Sequence, residues 1–155
     1  MTIFVALAVA GAPAALSCQQ TTTARSVLRR DLEAEARRLE QLFERGDLRA
    51  VARTYADDAQ LIPPSGQPPK TGRAEIDRFW ADVDDPRSWT LETLDWGGTA
   101  DEAWHLVLST MVSGRDKPRA HVVRCLFIWR RQPDGTRRIH LDIWTAAVKG
   151  HPERA

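Results

Sequence analysis

Four residues near the carboxyl end of the chain have the side-chain chemistry of a small catalytic or binding site. They are Arg124, Asp142 and the histidines His121 and His140. An arginine paired with an aspartate can orient a ligand carboxylate or polarise a water, and a histidine carries protons near neutral pH. The alternative is a buried ion pair of Arg124 and Asp142 that only fixes the register of two strands. Both interpretations require the two residues to meet.

Arg124 is the most unusual of these residues because of its neighbours. Alternate residues of a strand share a face, so Arg124 lies beside Val122, Leu126 and Ile128. A charge on such an apolar face is costly unless it is paired or hydrated. We therefore expect Arg124 to pair with Asp142.

A metal site is an alternative use of the histidines. His105, His121, His140 and Asp142 could supply imidazole and carboxylate ligands for zinc or iron from neighbouring strands. The sequence has neither a His-x-His pair nor an HExxH motif, which disfavours that use. We therefore predict no metal and no other cofactor.

Aromatic side chains supply the remaining candidates for a binding site. The chain has six tryptophans and one tyrosine. Trp80, Trp144 and Tyr55 are predicted to line a cavity for a flat, apolar molecule, with Tyr55 donating its hydroxyl from the second helix. The alternative for Tyr55 is a core residue whose hydroxyl binds a carbonyl. Trp89 and Trp96 are assigned to the core.

Three helices are predicted in the first half of the chain. Apolar residues at spacings of three and four predict one long amphipathic helix that ends at Arg45. Gly46 ends this helix and Asp47 caps a short second helix, which includes Tyr55. Thr71 is expected to cap the third helix.

Short and longer strands complete the prediction. Residues 59–62 form a short strand that ends at two prolines. Further along, the hydrophobic period changes to two, which predicts four strands at 89–96, 103–113, 119–131 and 137–148, joined by glycine-rich turns. The expected class is α+β, with three helices packed in the concave face of a curved antiparallel sheet.

Several local motifs together resemble one family. They are the Gly-Asp helix junction at 46–47, YADDA at 55–59, the proline loop, TGR at 71–73 and WRRQPDG at 129–135. This pattern resembles the SnoaL-like members of the nuclear-transport-factor-2-like (ketosteroid-isomerase-like) superfamily over roughly residues 26–148. The resemblance implies a cone-shaped, cystatin-like barrel. Members include isomerases, dehydratases, epoxide hydrolases and binding domains, so the fold alone does not settle function.

The resemblance argues against ketosteroid isomerase activity. That reaction needs a carboxylate base and two neutral donors at the dienolate oxygen. The family's tyrosine, base and second aspartate correspond to Leu39, Pro63 and Phe127 here, none of which ionises. The resemblance also implies that Arg124 faces the cone and that Asp142 is the family's acid in the final strand.

The N-terminal segment predicts export. Residues 1–17 are apolar and uncharged, and a polar run follows Cys18. Such a short segment is typical of a secretory signal, and its last residues with Cys18 resemble a bacterial lipobox, which implies acylation of Cys18 and a location at the cell envelope. The alternative is an apolar N-terminal helix of the domain. The expected organisation is a signal peptide at 1–17, a tether at 18–25, the domain at 26–148 and a tail at 149–155.

Composition and patterning limit the expected partners. A chain of 155 residues with a formal net charge of +1 fits one domain with no general attraction to nucleic acid. Strand 119–131 is apolar on both faces, so we expect the helices to cover one face and a second copy of the chain the other. Contact with a membrane is expected only through the lipid at Cys18. Cys125 is predicted as a core residue without a disulfide.

Three hypotheses for function follow. The leading one is an exported or lipid-anchored domain that binds a small, largely apolar molecule in the cone. The first alternative is a dehydratase or hydrolase using Asp142, Arg124 and a histidine, and the second is an oligomerising module with a filled core. An enzyme of this type would need Arg124 and Asp142 in one solvent-connected cavity, whereas a filled core would leave no cavity.

Overall fold

The computed structural model describes residues 14–64 and 66–146, with side chains from Thr22 onward. Its helices are α1 (Ala14–Glu44), α2 (Leu48–Arg53) and α3 (Gly72–Ala81). Its strands are β1 (Tyr55–Ile62), β2 (Lys70–Thr71), β3 (Pro86–Gly98), β4 (Glu102–Ser113), β5 (Arg119–Arg131) and β6 (Arg137–Ala146).

The strands form one six-stranded sheet in the order β2-β1-β6-β5-β4-β3. Strands β3 to β6 are an antiparallel meander, as predicted, while β1 pairs with β6 in parallel. Parallel neighbours need a long connection, and α3 with β3 to β5 supplies it. The predicted α+β class is confirmed, with a curved sheet that is mixed and remains open.

The helix junctions follow from local chemistry. Gly46 adopts a φ of 72°, and the Asp47 carboxylate accepts a hydrogen bond from the Ala50 N–H at 3.0 Å, so the predicted junction between α1 and α2 is confirmed. At α3 the Thr71 side chain makes no capping hydrogen bond. Instead, the Glu75 carboxylate accepts from the Thr71 N–H at 2.7 Å, which satisfies one of the free donors at the start of the helix.

Strand β1 begins four residues earlier than expected. Tyr55 is its first residue, so the prediction that Tyr55 belongs to the second helix is wrong. Two successive residues, Asp57 and Asp58, are exposed within this strand, and its pairing with β6 shifts between Tyr55 and Gln60. This irregularity breaks the strict alternation by which a strand is recognised in a sequence.

The N-terminal predictions fall largely outside the described residues. Helix α1 begins at Ala14 and therefore runs through residues 18–25, predicted as a tether. Residues 1–13, the Cys18 side chain and residues 147–155 lie outside the description. In the helices that are described, no segment is long and apolar enough to cross a membrane. Export and acylation of Cys18 stay predictions.

The core lies between the helices and the concave face of the sheet. Trp89 is 1% exposed, as expected of a core residue, and Cys125 is a buried free thiol. Trp96 is only partly buried, with the Arg25 guanidinium 4.8 Å from its ring centroid. The largest other buried side chains are Leu32, Leu39, Phe43, Tyr55, Leu61, Ile76, Trp80, His105, Phe127, Trp129 and Ile139.

The opposite face of the sheet is also apolar, as predicted from strand β5. Val122 is 43% exposed, and most of its neighbours on this face are partly buried. We call it the outer face, and the pairing registers place these apolar residues on it: Trp104, Leu106, Leu108, Val112, Ala120, Val122, Leu126, Ile128, Leu141 and Ile143. No helix of the described residues covers it.

Candidate functional site

A cavity of about 290 Å³ opens where β4 ends and β5 begins. We call it the mouth cavity. It lies between α3, the proline loop after β1 and the ends of β4, β5 and β6. Its apolar walls are Pro63, Pro64, Phe79, Val83, Met111, Val123 and Trp144, and its polar lining residues are Gln67, Asp82, Asp84, Ser109, Ser113 and His121.

The walls of the mouth cavity are held by α3. Arg73, at the start of α3, donates hydrogen bonds to the backbone carbonyls of Ala52 and Tyr55 and pairs with Asp77 at 2.9 Å. These bonds tie α3 to α2 and β1. Phe79, six residues further along the helix, packs its ring edge-on against Trp144 with a centroid distance of 5.6 Å.

A buried polar pair lies deeper on the concave face. The Tyr55 hydroxyl donates a hydrogen bond to Oδ2 of Asp142 at 2.8 Å. Both residues are 0% exposed. Asp142 lies opposite Phe127 on β5 and Leu61 on β1, so it is enclosed by apolar side chains.

Burial changes the protonation of both partners. Burial raises the pKa of Asp142 to about 7, and the hydrogen bond from Tyr55 limits this rise. The Trp144 indole N–H also lowers the pKa of Asp142, although the two groups do not meet the geometry of a hydrogen bond. The pKa of Tyr55 is raised well above its usual value, first by burial and then by the Asp142 charge. Tyr55 is therefore a neutral donor, whereas both forms of Asp142 are accessible near neutral pH.

Three buried polar atoms of this region have no hydrogen-bond partner among the described residues. They are Oδ1 of Asp142 and the indole nitrogens of Trp80 and Trp144. Trp144 also lines the mouth cavity, whereas Asp142 does not. Because the two residues share a face of β6, Trp144 separates the carboxylate from the cavity.

The predicted pair of Arg124 and Asp142 is not formed. Arg124 lies opposite Leu108 and Thr145, on the outer face, whereas Asp142 lies opposite Phe127 on the concave face. A shift in the pairing of β5 and β6, between Ile128 and Trp129 and hence after Ile139 on β6, reverses the alternation of β6, so that Ile139 and Asp142 are both buried. The expectation that Arg124 faces the cone is also wrong, because Arg124 shares the outer face of β5 with Leu126 and Ile128.

The histidines do not assemble around Asp142 either. His121 is exposed at the mouth cavity, and His140 lies beside Asp58 with 3.5 Å between Nδ1 and Oδ1. His105 is buried on the concave face, separated from Asp142 by Phe127. Among the side chains that the structure describes, no three His, Cys, Asp or Glu residues lie close enough together to hold a metal ion.

The buried His105 is a core residue with an unusual pKa. Its Nε2 lies 2.9 Å from the Thr93 hydroxyl, and its Nδ1 has no partner among the described residues. Burial lowers the pKa of His105 to about 4, against a smaller opposing effect of Glu33. His105 is therefore neutral at physiological pH.

Only part of the predicted aromatic lining lies at the mouth cavity. Trp144 lines the mouth cavity, but Trp80 is fully buried and packs against Phe79 and Trp89 at centroid distances of 5.5 and 5.3 Å. Tyr55 lies beside Trp80 rather than at the cavity. Sequence reasoning did not assign the other apolar wall residues to a cavity: Pro63, Pro64, Phe79, Val83, Met111 and Val123. In the sequence these residues are marked only as apolar residues near the ends of helices and strands, which does not separate cavity walls from the core.

Similar solved structures show which fold the chain has. An NTF2-like protein with a cystatin-like fold from Novosphingobium aromaticivorans has 20% identity and a TM-score of 0.64, over 84% of this chain and 91% of that chain. A ketosteroid isomerase-like protein from Erwinia carotovora atroseptica has 20% identity and a TM-score of 0.58, over 70% and 87%. A protein from Catenulispora acidiphila, in complex with S-DNPA, has 14% identity and a TM-score of 0.66, over 77% and 93%.

These likenesses show that the chain has the cystatin-like fold of these NTF2-like proteins, as the sequence motifs predicted. Residues 36–139 match the SnoaL-like domain family. The chain therefore belongs to the SnoaL-like domain family.

Proposed function

We propose that this protein binds a small, largely apolar molecule in the mouth cavity. The observation that carries the proposal is the distribution of side chains around that cavity. Phe79, Met111, Val123 and Trp144 form apolar walls, and most of the polar lining residues lie in loops or at the ends of strands. Ligand sites are typically concave and apolar with a few placed polar groups. A volume of about 290 Å³ suits a small ligand.

Ser109 supplies a polar group on the inner side of this cavity. It is 1% exposed and lies four residues inward from Ser113 along β4. Its hydroxyl oxygen accepts a hydrogen bond from Trp89 Nε1 at 2.8 Å, so the hydroxyl hydrogen can be donated either to the neighbouring Cys125 thiol or to an acceptor of a ligand. The ligand we propose therefore carries one acceptor, such as a carbonyl, beside an apolar body.

We favour binding over the dehydratase or hydrolase alternative. That enzyme would need Arg124, Asp142 and a histidine in one solvent-connected cavity. Arg124 lies on the outer face, and Asp142 is 0% exposed and outside the cavity lining. The presence of the mouth cavity also argues against an oligomerising module with a filled core.

Titration with the neutral fluorescent probe N-phenyl-1-naphthylamine tests this proposal. We expect saturable binding by the wild-type protein. Val123→Trp fills the cavity and should weaken binding by about tenfold or more, equivalent to at least about 1.4 kcal/mol. Val122→Trp makes the same change one residue away on the outer face and should bind the probe as the wild type does.

Two outcomes would contradict the proposal. One is the absence of saturable probe binding, and the other is equal probe affinity in the Val123→Trp and wild-type proteins. Unfolding in urea should be recorded for each variant, because an oversized core side chain can itself destabilise a fold.

We further propose that the protein is exported and acylated at Cys18. The proposal rests on the uncharged apolar residues 1–17 and on the lipobox-like residues before Cys18. The pocket would then be held at the cell envelope by a lipid, with the folded domain outside the bilayer.

We also propose that the protein is a homodimer. The outer face presents Leu126 and Ile128 at its centre, on a strand flanked by β4 and β6. Two copies related by a twofold axis would place this face against itself, so that each covers the apolar residues of the other.

A further inference from the structure

We propose a second ligand site at the opposite end of the sheet, where Arg131 and Arg137 bind a small organic carboxylate. The site is a groove of about 370 Å³ between α1, the turn from β3 to β4, and the facing ends of β5 and β6. We call it the arginine groove. Val123 at the mouth cavity and Arg131 are eight residues apart on β5, or about 26 Å. The two sites are therefore separate.

The two arginines lie directly opposite each other on the neighbouring strands β5 and β6. Arg131 and Arg137 are register partners on β5 and β6, and like charges placed directly opposite are destabilising. The guanidinium of Arg131 already has partners within the protein. It lies 3.7 Å from the Asp101 carboxylate and donates hydrogen bonds to the carbonyls of Ala100 and Gly135. An anion between the two guanidinium groups would relieve their repulsion.

Arg137 has no such partners. It is 7% exposed, and its Nη1 is buried with no hydrogen-bond partner among the described residues. Burial, followed by the charge of Arg131, lowers the pKa of Arg137. A buried guanidinium without a partner is strongly unfavourable, so this side chain is suited to receive an external anion.

Two acids of α1 lie near Arg137 but do not pair with it. Asp31 is 3.7 Å from Arg30, and Glu35 is 3.6 Å from Arg38. Burial raises the pKa of Glu35, which reduces its capacity to neutralise a neighbour. The lining of the groove contains Arg25, Arg131 and Arg137 against the single acid Asp31, so the lining itself is net positive, while Glu35 and Asp101 outside it reduce the positive charge around Arg137.

The rest of the lining indicates what the anion carries. Ala24, Val27 and Leu28 form an apolar wall on α1, and Val27 is 40% exposed. A guanidinium matches the two oxygens of a carboxylate in geometry. The expected ligand is therefore a carboxylate with a short hydrocarbon group, which would lie against this wall.

Isothermal titration calorimetry with hexanoate, at constant ionic strength, tests the proposal. We expect one hexanoate per chain and no measurable binding of the uncharged hexanamide. Arg137→Met should abolish hexanoate binding. Arg138→Met is the matched control, because Arg138 is the next residue, lies on the other face of β6 and is 3.9 Å from Asp134; it should bind hexanoate as the wild type does.

Stability in urea without hexanoate provides a second measurement. We expect Arg137→Met to be at least as stable as the wild type, since it removes an uncompensated buried charge. Strong destabilisation would mean that Asp31 and Glu35 already neutralise Arg137, and it would overturn the proposal. Absent hexanoate binding, equal binding of hexanamide, or binding that survives Arg137→Met would also overturn it.

Discussion

The Tyr55 hydroxyl donates a 2.8 Å hydrogen bond to the Asp142 carboxylate, which lies 87 positions later in the chain. The bond joins the first residue of β1 to the middle of β6, two strands that also pair in parallel. Because both side chains are fully buried, water does not compete for either group. The pair therefore links the helical half of the chain to its last strand.

Replacement of Tyr55 by phenylalanine should destabilise the fold in a pH-dependent way. At pH 8 the change leaves an ionised, buried Asp142 without its donor, and the expected loss is about 1–3 kcal/mol. At pH 5 Asp142 is protonated, so the loss should be smaller. Urea unfolding at the two pH values measures both losses. In an Asp142→Asn background the loss should be the same at both, and equal losses in the wild-type background would contradict the assignment.

Asp142 should make the fold less stable as pH rises from about 4 to 7. The pKa of Asp142 in the folded protein is about 7, against about 3.9 for an unfolded aspartate. The folded state therefore binds more protons in this window, and stability falls by up to about 1.4 kcal/mol per pH unit. Asp142→Asn removes this contribution. Relative to the wild type, the variant should gain stability as pH rises, as measured by urea unfolding from pH 4.5 to 8.

His105 should have the opposite effect over nearly the same range. Its pKa is lowered to about 4 in the folded protein, so the unfolded state binds more protons between about 4 and 6.5. This contribution to stability is present above the unfolded pKa and is lost as pH falls. The effects of Asp142 and His105 therefore partly cancel in the wild type.

Two variants separate these contributions. With Asp142→Asn the remaining His105 should make stability rise with pH, and with His105→Gln the remaining Asp142 should make it fall. Glutamine is chosen because its amide can retain a hydrogen bond to Thr93. If both variants keep the wild-type profile, neither residue titrates as described.

Most of the fold was predictable because its signals are local. The Gly46 and Asp47 junction, the glycine-rich turns and the change in hydrophobic period each depend on a few adjacent residues. The element boundaries of β4 and β5 agree with those expected to within a residue. The parallel pairing of β1 with β6 was not predictable in this way, because it depends on residues far apart in the chain.

The site was harder to predict because it depends on which face each strand residue occupies. The pairing shift in β6 after Ile139 reverses the alternation, and so it places Asp142 and Arg124 on opposite faces. Tyr55 was assigned to the wrong element for a similar reason, since β1 is irregular. The walls of the mouth cavity are ordinary apolar residues, such as Val123, whose types do not distinguish them from the core.

The N-terminus of the protein produced in a bacterial host should be processed. We expect the mature chain to begin at an acylated Cys18 and to partition into detergent. Intact-mass measurement checks this, and a Cys18→Ser variant should lose the added mass of the lipid. Recovery of an unmodified wild-type chain that retains Met1 would contradict the prediction.

The outer face should hold two copies of the chain together. Leu126 lies on that face between Leu106 and Ile143, so Leu126→Glu would place a charge against the apolar face of the second copy, where its desolvation is unfavourable. We expect light scattering to give twice the mass of one chain for the wild type and the mass of one chain for Leu126→Glu. Val27→Glu is the matched control, since Val27 is 40% exposed on helix α1 and not on the outer face, and it should remain dimeric. A wild-type monomer at micromolar concentration, or a dimeric Leu126→Glu variant, would show that this face is not the interface.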